Sequence, residues 1–497
     1  MQISKTEYMM FLKHPAWLWL KKYDKYKLPQ PDADLQALFD MGHEFEKYPE
    51  QLFPGAIRLG FDSYQAYMDL PRRTSQALEG GAKTIFQGRF EGDNITCIID
   101  VLDRVNDSEF DLYEIKATTR TKPEHEYDLA FQLIVLESAG IKVRKILVIH
   151  VNNQYVRDGE INFKELSTTT DVTEIVRERV GETKGNIKNA LSVLGQSECP
   201  DISPRHVTMG ALNEWLDIYK ILVGGIDKYS IYNLISPGAK RIGELEDLGI
   251  KLIKDIPEDF KISAKQQLQV EAVKSGKQYI DKEGIAGFLK NLKYPLYFLD
   301  YETFSGLVPP FDGMRPYQNV PFQYSLHILE SPQAELKHAG YLHFENTNPG
   351  KPLIEQLKND IGDSGSIIVW NQGFEKGCNK TLAGIFPEYE DFLLALNERI
   401  EDLMIPFSRG MFADKDFFGS ASIKSVMPVL VPGLSYGALE IQGGGTASRT
   451  WMKTIFGNEN TDKRDEIFND LIEYCKMDTL AMVKILERLE KEINKSL

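Results

Sequence analysis

Thr96-Cys97-Ile98-Ile99-Asp100-Val101-Leu102 and Phe110-Asp111-Leu112-Tyr113-Glu114-Ile115-Lys116 are the two runs on which the reading of the fold turns. Both have strand-like composition, and Asn106-Asp107-Ser108-Glu109 between them supplies turn chemistry, so the pair predicts a β-hairpin. Side chains alternate faces along a strand, which puts Glu114 and Lys116 on one side and Ile115 on the other. Asp100 on the partner strand can lie across from them. Two carboxylates beside an ammonium group offer hard oxygen ligands, suited to magnesium or manganese, and a positive charge next to a phosphate.

Outward from the hairpin, the pattern predicts a helix from about Glu126 to Ala139, ended by Gly140, and a buried strand over Lys145 to His150. Before it, Ser4 to about Pro54 reads as helical, with Met9, Leu12, Trp17, Leu35, Leu38 and Phe39 at helix-like intervals. Strands with a crossing helix imply a mixed α/β domain over residues 1–175. Residues 176–285 carry mostly amphipathic helical runs and read as a helical connector. Within it, Ile242-Gly243-Glu244-Leu245 and Leu248-Gly249-Ile250 form a helical hairpin pattern, assigned to ordinary packing ahead of holding a DNA backbone. The β signal returns at Tyr297-Phe298-Leu299-Asp300, Phe322 to Leu329 and Ile367-Ile368-Val369-Trp370, and long helices fill the tail, the last from about Asp465 to Lys491. Residues 286–497 thus form a second α/β domain.

A chain of 497 residues with 42% hydrophobic content exceeds what one core usually organises. Its net charge of -15 excludes coating of nucleic acid by bulk electrostatics, which needs a basic surface, but leaves room for a groove lined by a few Lys and Arg. Cys97, Cys199, Cys378 and Cys475 lie far apart and form no metal-ribbon or disulfide spacing, so a reducing compartment is expected. With neither an apolar leader nor a membrane-length run, the expected location is the cytoplasm, with no membrane partner.

A second set of acids lies toward the end of the chain. Asp300 and Glu302 share one strand face, while Tyr474 and Asp478, four apart on a helix, face the same way. Trp370-Asn371-Gln372-Gly373-Phe374-Glu375 ends a buried strand, turns and opens a helix with Glu375. Four carboxylates around two cations would suit phosphodiester cleavage. Asp402 is an alternative to Glu375 for which a structural role is favoured. Gly443-Gly444-Gly445 reads as a flexible loop ahead of a phosphate cradle, because no strand-to-helix context or Gly-Lys-Ser/Thr surrounds it.

The stretch Gly88 to Lys116 with Asp128-Leu129-Ala130-Phe131-Gln132 resembles, over roughly residues 1–180, the PD-(D/E)XK nuclease core of the RecB type. That resemblance implies a restriction-endonuclease-like mixed sheet, metal binding by Asp100 and Glu114, a catalytic Lys116 and a supporting Gln132. The family's first-helix ligand, usually a His after Gly-x-x-x, falls at Gly42-His43-Glu44, so it is His43 or Glu44, or is absent. Leu136 stands where a Tyr commonly follows the Gln. Where many relatives carry cluster-binding cysteines this chain has His14-Pro15 and then only Cys199, so no iron-sulfur cluster is expected, and His14 is assigned to packing or capping. Residues 290–497 resemble the RNase H-like, DnaQ-type exonucleases of the DEDDy group. By that likeness Asp300, Glu302, Glu375 and Asp478 bind metal and Tyr474 positions the attacking water, with Glu375 standing where those enzymes have Asp. The fusion of the two halves is similar to a bacterial family of predicted nucleases. The expected activity is metal-dependent hydrolysis of DNA, on single strands or duplex ends, with Mg2+ or Mn2+. The alternatives are that one module is catalytically dead and serves as a nucleic-acid or partner platform, or that the substrate is RNA. The sequence names no protein partner.

Overall fold

Strand Ile95–Arg104 pairs antiparallel with Glu109–Lys116, Val101 opposite Tyr113 and Leu102 opposite Leu112, so the expected hairpin forms. The structure is a computed structural model and describes residues 2–457 and 461–494. The hairpin lies at the centre of a mixed sheet ordered Ile57–Arg58, Thr84–Gly92, Ile95–Arg104, Glu109–Lys116, Lys142–Val151, Ser167–Asp171, with Ile3–Ser4 joined in parallel to Ile95–Arg104. Glu109–Lys116 and Lys142–Val151 run parallel, and the helix Pro123–Ser138 makes the crossover between them.

That helix has Pro at its first turn and ends ahead of Gly140, which takes the left-handed conformation (φ 81°) that stops helices. Leu129, Ala130, Phe131, Leu133, Val135 and Leu136 are all buried, so the helix is wrapped on nearly every side. Each large apolar side chain buried there contributes roughly 1.5–3 kcal/mol. The same burial fixes where Asp128 and Gln132, one turn apart, point. Helices Lys5–Lys13 and Thr173–Leu194 pack against it. The first of these starts from a capping box in which Ser4 and Glu7 bond each other's backbone amides, at 2.8 and 3.4 Å.

The second sheet is ordered Lys337–Leu342, Val320–Leu329, Leu296–Phe304, Ser366–Val369, Ile400–Asp402. Val320–Leu329 runs antiparallel to both of its neighbours, and the last two strands run parallel to Leu296–Phe304. A bulge between Pro321 and Gln323 falls opposite Glu302 and Thr303, a local twist of the kind that re-aims side chains. Helix Arg464–Asn494 packs across Leu296–Phe304 and Val320–Leu329, burying Ile467, Leu471, Cys475, Met482 and Leu486.

By its internal contacts the chain divides into two compact units. One is Met1–Ile226 with Gly238–Glu244 and Leu307–Pro309; the other is Asp227–Pro237, Leu245–Gly306 and Pro310–Leu497. Helices Thr173–Leu194 and Leu212–Leu222 belong to the first, and Ala264–Ser275 and Lys282–Leu289 to the second. The protein is thus a multidomain α/β chain, and among its described residues no helix is long and apolar enough to cross a membrane. One expectation is corrected: Gly444 and Gly445 are not a flexible loop but the first turn of helix Gly444–Ile455. Buried Ala447, Trp451 and Ile455, spaced four apart, anchor that helix, so packing outweighs the low helix propensity of glycine.

Candidate functional site

In the first unit Asp100, Glu114, Lys116 and Gln132 converge. The Lys116 ammonium donates to Glu114 Oε1 at 2.7 Å and to Asp128 Oδ2 at 2.8 Å. Gln132 Nε2 donates to Glu114 Oε2 and Asp128 Oδ1 at 2.8 and 2.9 Å. Asp100 turns its carboxylate to the backbone amide of Ile115, at 2.8 Å, directly beside Glu114. Two members escaped the sequence reading. Lys5 donates to Glu114 Oε1 at 2.8 Å and lies 3.5 Å from Asp128, and Asp128 itself is buried at the centre of the cluster. The spacing Asp128-x-x-x-Gln132 was a readable signal for the latter; nothing local marks Lys5.

His43 is exposed, and among the described residues no hydrogen bond or ion pair joins it to Asp100 or Glu114. Glu46, three residues further along the same helix, is the acid that feels Glu114: burial first, and then neighbours that include Glu114, raise its pKa, against the opposing charge of His43. His14 caps the helix Pro15–Tyr23 through Ala16 N and stacks on Trp215 with ring centroids 3.7 Å apart.

Electrostatically this first cluster is largely self-compensated. Burial would raise Glu114 and Asp128, but the ammonium groups of Lys116 and Lys5 outweigh it and hold both carboxyls below their usual range. Asp100, dominated by burial and then by Glu114, is pushed up to about 7. Both carboxylate oxygens of Glu114 accept hydrogen bonds from protein groups, while the Oε1 atom of Gln132 beside them is buried without a partner among the described residues.

The second unit differs. Asp300 and Glu302 on the strand Leu296–Phe304 and Tyr474 and Asp478 on the helix Arg464–Asn494 line one cavity of about 320 Å³. Ligand-capable atoms of Asp300, Glu302 and Cys475 lie within 4.8 Å of one another. Glu375, in the first turn of helix Gln372–Ile385, is 1% exposed, and its Oε2 has no hydrogen-bond partner. It lies within the field of Asp300. The turn that aims it passes through Asn371 in the left-handed region (φ 81°), a conformation Asn tolerates. Asp402 holds that turn: its carboxylate accepts from the amides of Asn371, Gln372 and Met404 at 3.0, 3.1 and 3.0 Å and is thereby spent.

In this second cluster burial raises every one of the four acids, and acidic neighbours add to it for Asp300, Glu302 and Glu375. Asp300 and Glu302 are pushed well above the carboxylate range by burial and then by their acidic neighbours, Glu375 likewise, and Asp478 reaches about 6. Asp478 receives the hydroxyl hydrogen bond of Tyr436, a residue with no sequence signal, and is also lowered by Tyr474. Burial keeps Tyr474 protonated far above neutral pH, so its hydroxyl is a donor. An unpartnered carboxylate oxygen on Glu375, with neighbouring acids that repel one another, fits a divalent cation with oxygen ligands. In the first cluster the lysines already fill that part.

Residues 297–422, which span Asp300, Glu302 and Glu375, match a family described as a domain of unknown function, DUF2779. The chain is also similar to two uncharacterized mycoplasma proteins. It is 24% identical to one from Mycoplasma genitalium over 225 residues, 41% of this chain and 33% of that protein. It is 27% identical to the homolog in Mycoplasma pneumoniae over 229 residues, 41% of this chain and 34% of that protein. The chain therefore spans about a third of the length of these curated relatives, and none of the descriptions carries an activity.

Proposed function

We propose that this chain is a metal-dependent nuclease that hydrolyses DNA phosphodiester bonds, with its principal catalytic centre in the cavity lined by Asp300, Glu302 and Asp478 and backed by the buried Glu375. The observation that carries the reading is that Asp300, Glu302 and Asp478, from one strand and one helix, line a single cavity, with Glu375 buried and unpartnered within the field of Asp300, all with raised proton affinities and no protein cation in an ion pair with them among the described residues. Clustered buried acids that no cation pairs with directly are costly to keep unless a ligand offsets them, and such costs gather at functional sites. The sheet order, antiparallel over three strands and parallel over two, supports an RNase H-like fold of the DEDDy exonuclease type for this unit. The first unit's hairpin with a crossover helix supports a PD-(D/E)XK fold.

Magnesium or manganese would be held by Asp300, Glu302, Glu375 and Asp478, and when bound would lend positive charge to a phosphodiester and its attacking water. Tyr474, kept protonated by burial, donates a hydrogen bond where that water is oriented. Tyr436 fixes the rotamer of Asp478.

A second reading concerns the first unit alone: a site that binds substrate or a partner without hydrolysing. Satisfaction of Glu114 by Lys5, Lys116 and Gln132 favours it over a second cleavage centre. Nucleotide release from labelled single-stranded and duplex DNA and from RNA in manganese, for wild type, Lys116→Ala and Asp300→Ala, tests both. Loss only in Asp300→Ala supports the single centre, loss in both supports two, and unchanged degradation in both removes the proposal.

A further inference from the structure

Beside its carboxylates, the second cavity presents groups suited to an anion. Lys424, on the helix Ile423–Leu430, is the single Lys or Arg lining the cavity. Its ammonium donates to the carbonyl of Gln442 at 2.8 Å and forms no ion pair among the described residues, so its charge is not spent. That charge reaches both Glu302 and Asp478 and lowers their proton affinity.

Beside Lys424 the chain runs through Gly443 into the helix Gly444–Ile455, whose cap supplies no side-chain acceptor for its first amides. The glycines bring this uncapped end close to the acids. A Cβ on Gly443 would come within 3.0 Å of Lys424 Nζ, and one on Gly444 within 3.4 Å of Glu302 Oε2. Glu302 itself is 6% exposed, lines the cavity, and its carboxylate has no hydrogen bond or ion pair among the described residues. The acids call for a cation, while the ammonium and the helix N-terminus call for an anion. A phosphate ester carrying a divalent cation satisfies both at once.

We propose that Lys424 and the first-turn amides of Gly444–Ile455 seat a backbone phosphate of the nucleic-acid strand, with Lys424 a positioning residue that sets substrate affinity. This deepens the nuclease reading of the same cavity and rests on it for the identity of the substrate. Lys424 acts as a point charge on phosphate, so its contribution is independent of base sequence and sensitive to salt.

The test uses the full chain with manganese and a short fluorescein-labelled oligothymidylate. Binding is read by stopped-flow anisotropy before turnover, KM and kcat by nucleotide release, and manganese affinity by calorimetry. Lys424→Ala is expected to raise Kd and KM about tenfold while manganese binding is retained or tightened, and to make the log–log salt slope shallower by about one. Lys424→Arg should recover most of the affinity, which a purely structural defect would not allow. A Lys424→Ala protein with wild-type KM and wild-type salt slope overturns the seat while leaving the hydrolase reading intact. Conversely, binding that depends on manganese and on Lys424 without any nucleotide release overturns the hydrolase reading and leaves the seat. A wild type that binds neither manganese nor oligonucleotide overturns both.

Discussion

The two carboxylate clusters use the same kind of acid in opposite electrostatic settings. In the first, Lys5 and Lys116 hold Glu114 and Asp128 ionised and below their usual pKa range, and of the three acids Asp100 alone is raised, to about 7. In the second, Asp300, Glu302, Glu375 and Asp478 are raised, and Lys424, hydrogen-bonded to a backbone carbonyl, forms no ion pair with them among the described residues and offsets Glu302 and Asp478 only in part. A carboxylate cluster whose counter-charge is built into the chain is a finished structural object. One whose counter-charge is missing is shaped for a ligand.

The largest effect expected from this contrast is on catalysis. Asp300→Asn or Asp478→Asn should lower manganese-dependent nucleotide release on the order of a thousandfold, because several kcal/mol of charge stabilisation would be lost. Circular dichroism should be near wild type in both, and the metal-free melting temperature no lower than wild type. A loss confined instead to Lys116→Ala would reverse the ranking of the two clusters.

Next in size is the removal of an internal counter-charge. Lys5→Met leaves Glu114 and Asp128, buried at 2% and 9% side-chain exposure, with one ammonium between them. Stability should fall by about 3 kcal/mol in urea unfolding, since an uncompensated buried charge is left behind. In the same variant manganese should begin to bind at the first cluster and recover part of the loss. A neutral effect on stability would mean that the Lys5 contacts contribute little.

The pH dependence follows from the direction of the shifts. Asp478 has a folded pKa of about 6 against 3.8 for the free side chain, so the folded state binds the extra proton, and stability falls as pH rises through that window. A cation replaces the proton. Manganese should therefore raise Tm more at pH 7.5 than at pH 5, and an equal rise at both would count against a crowded acidic site. Glu114 and Asp128, held low, act in the other sense: their contribution is present near neutral pH and lost in acid.

The smallest effect belongs to Glu375. Replacing its carboxylate in Glu375→Gln removes a buried, partly orphaned charge and should stabilise the metal-free protein by about 1 kcal/mol while weakening manganese binding. Destabilisation without a change in manganese affinity would assign Glu375 to the fold alone.

How much of this was legible in sequence depends on range. The hairpin, the crossover helix ended by Gly140 and the helix carrying Tyr474 and Asp478 follow from local periodicity and turn chemistry, and they bring the expected acids together. Lys5 escaped because it reaches Glu114 across 109 positions of chain, and Tyr436 because it reaches Asp478 across 42; no local pattern encodes either contact. The Gly443–Gly445 run was misread because glycine signals freedom locally, whereas Trp451 and its neighbours impose a helix from the core side. The first-helix position, open between His43, Glu44 and no ligand, is not decided by local pattern; on the helix Ala33–Glu46 both His43 and Glu44 are exposed, and Glu46 is the acid there whose pKa Glu114 helps to raise.

The most direct measurement is anomalous diffraction at the manganese edge from crystals of the full chain soaked in manganese. The account predicts a strong peak bounded by Asp300, Glu302, Glu375 and Asp478, and a weaker one or none between Asp100 and Glu114. A peak confined to the Asp100–Glu114 cluster, or density at neither, would contradict it.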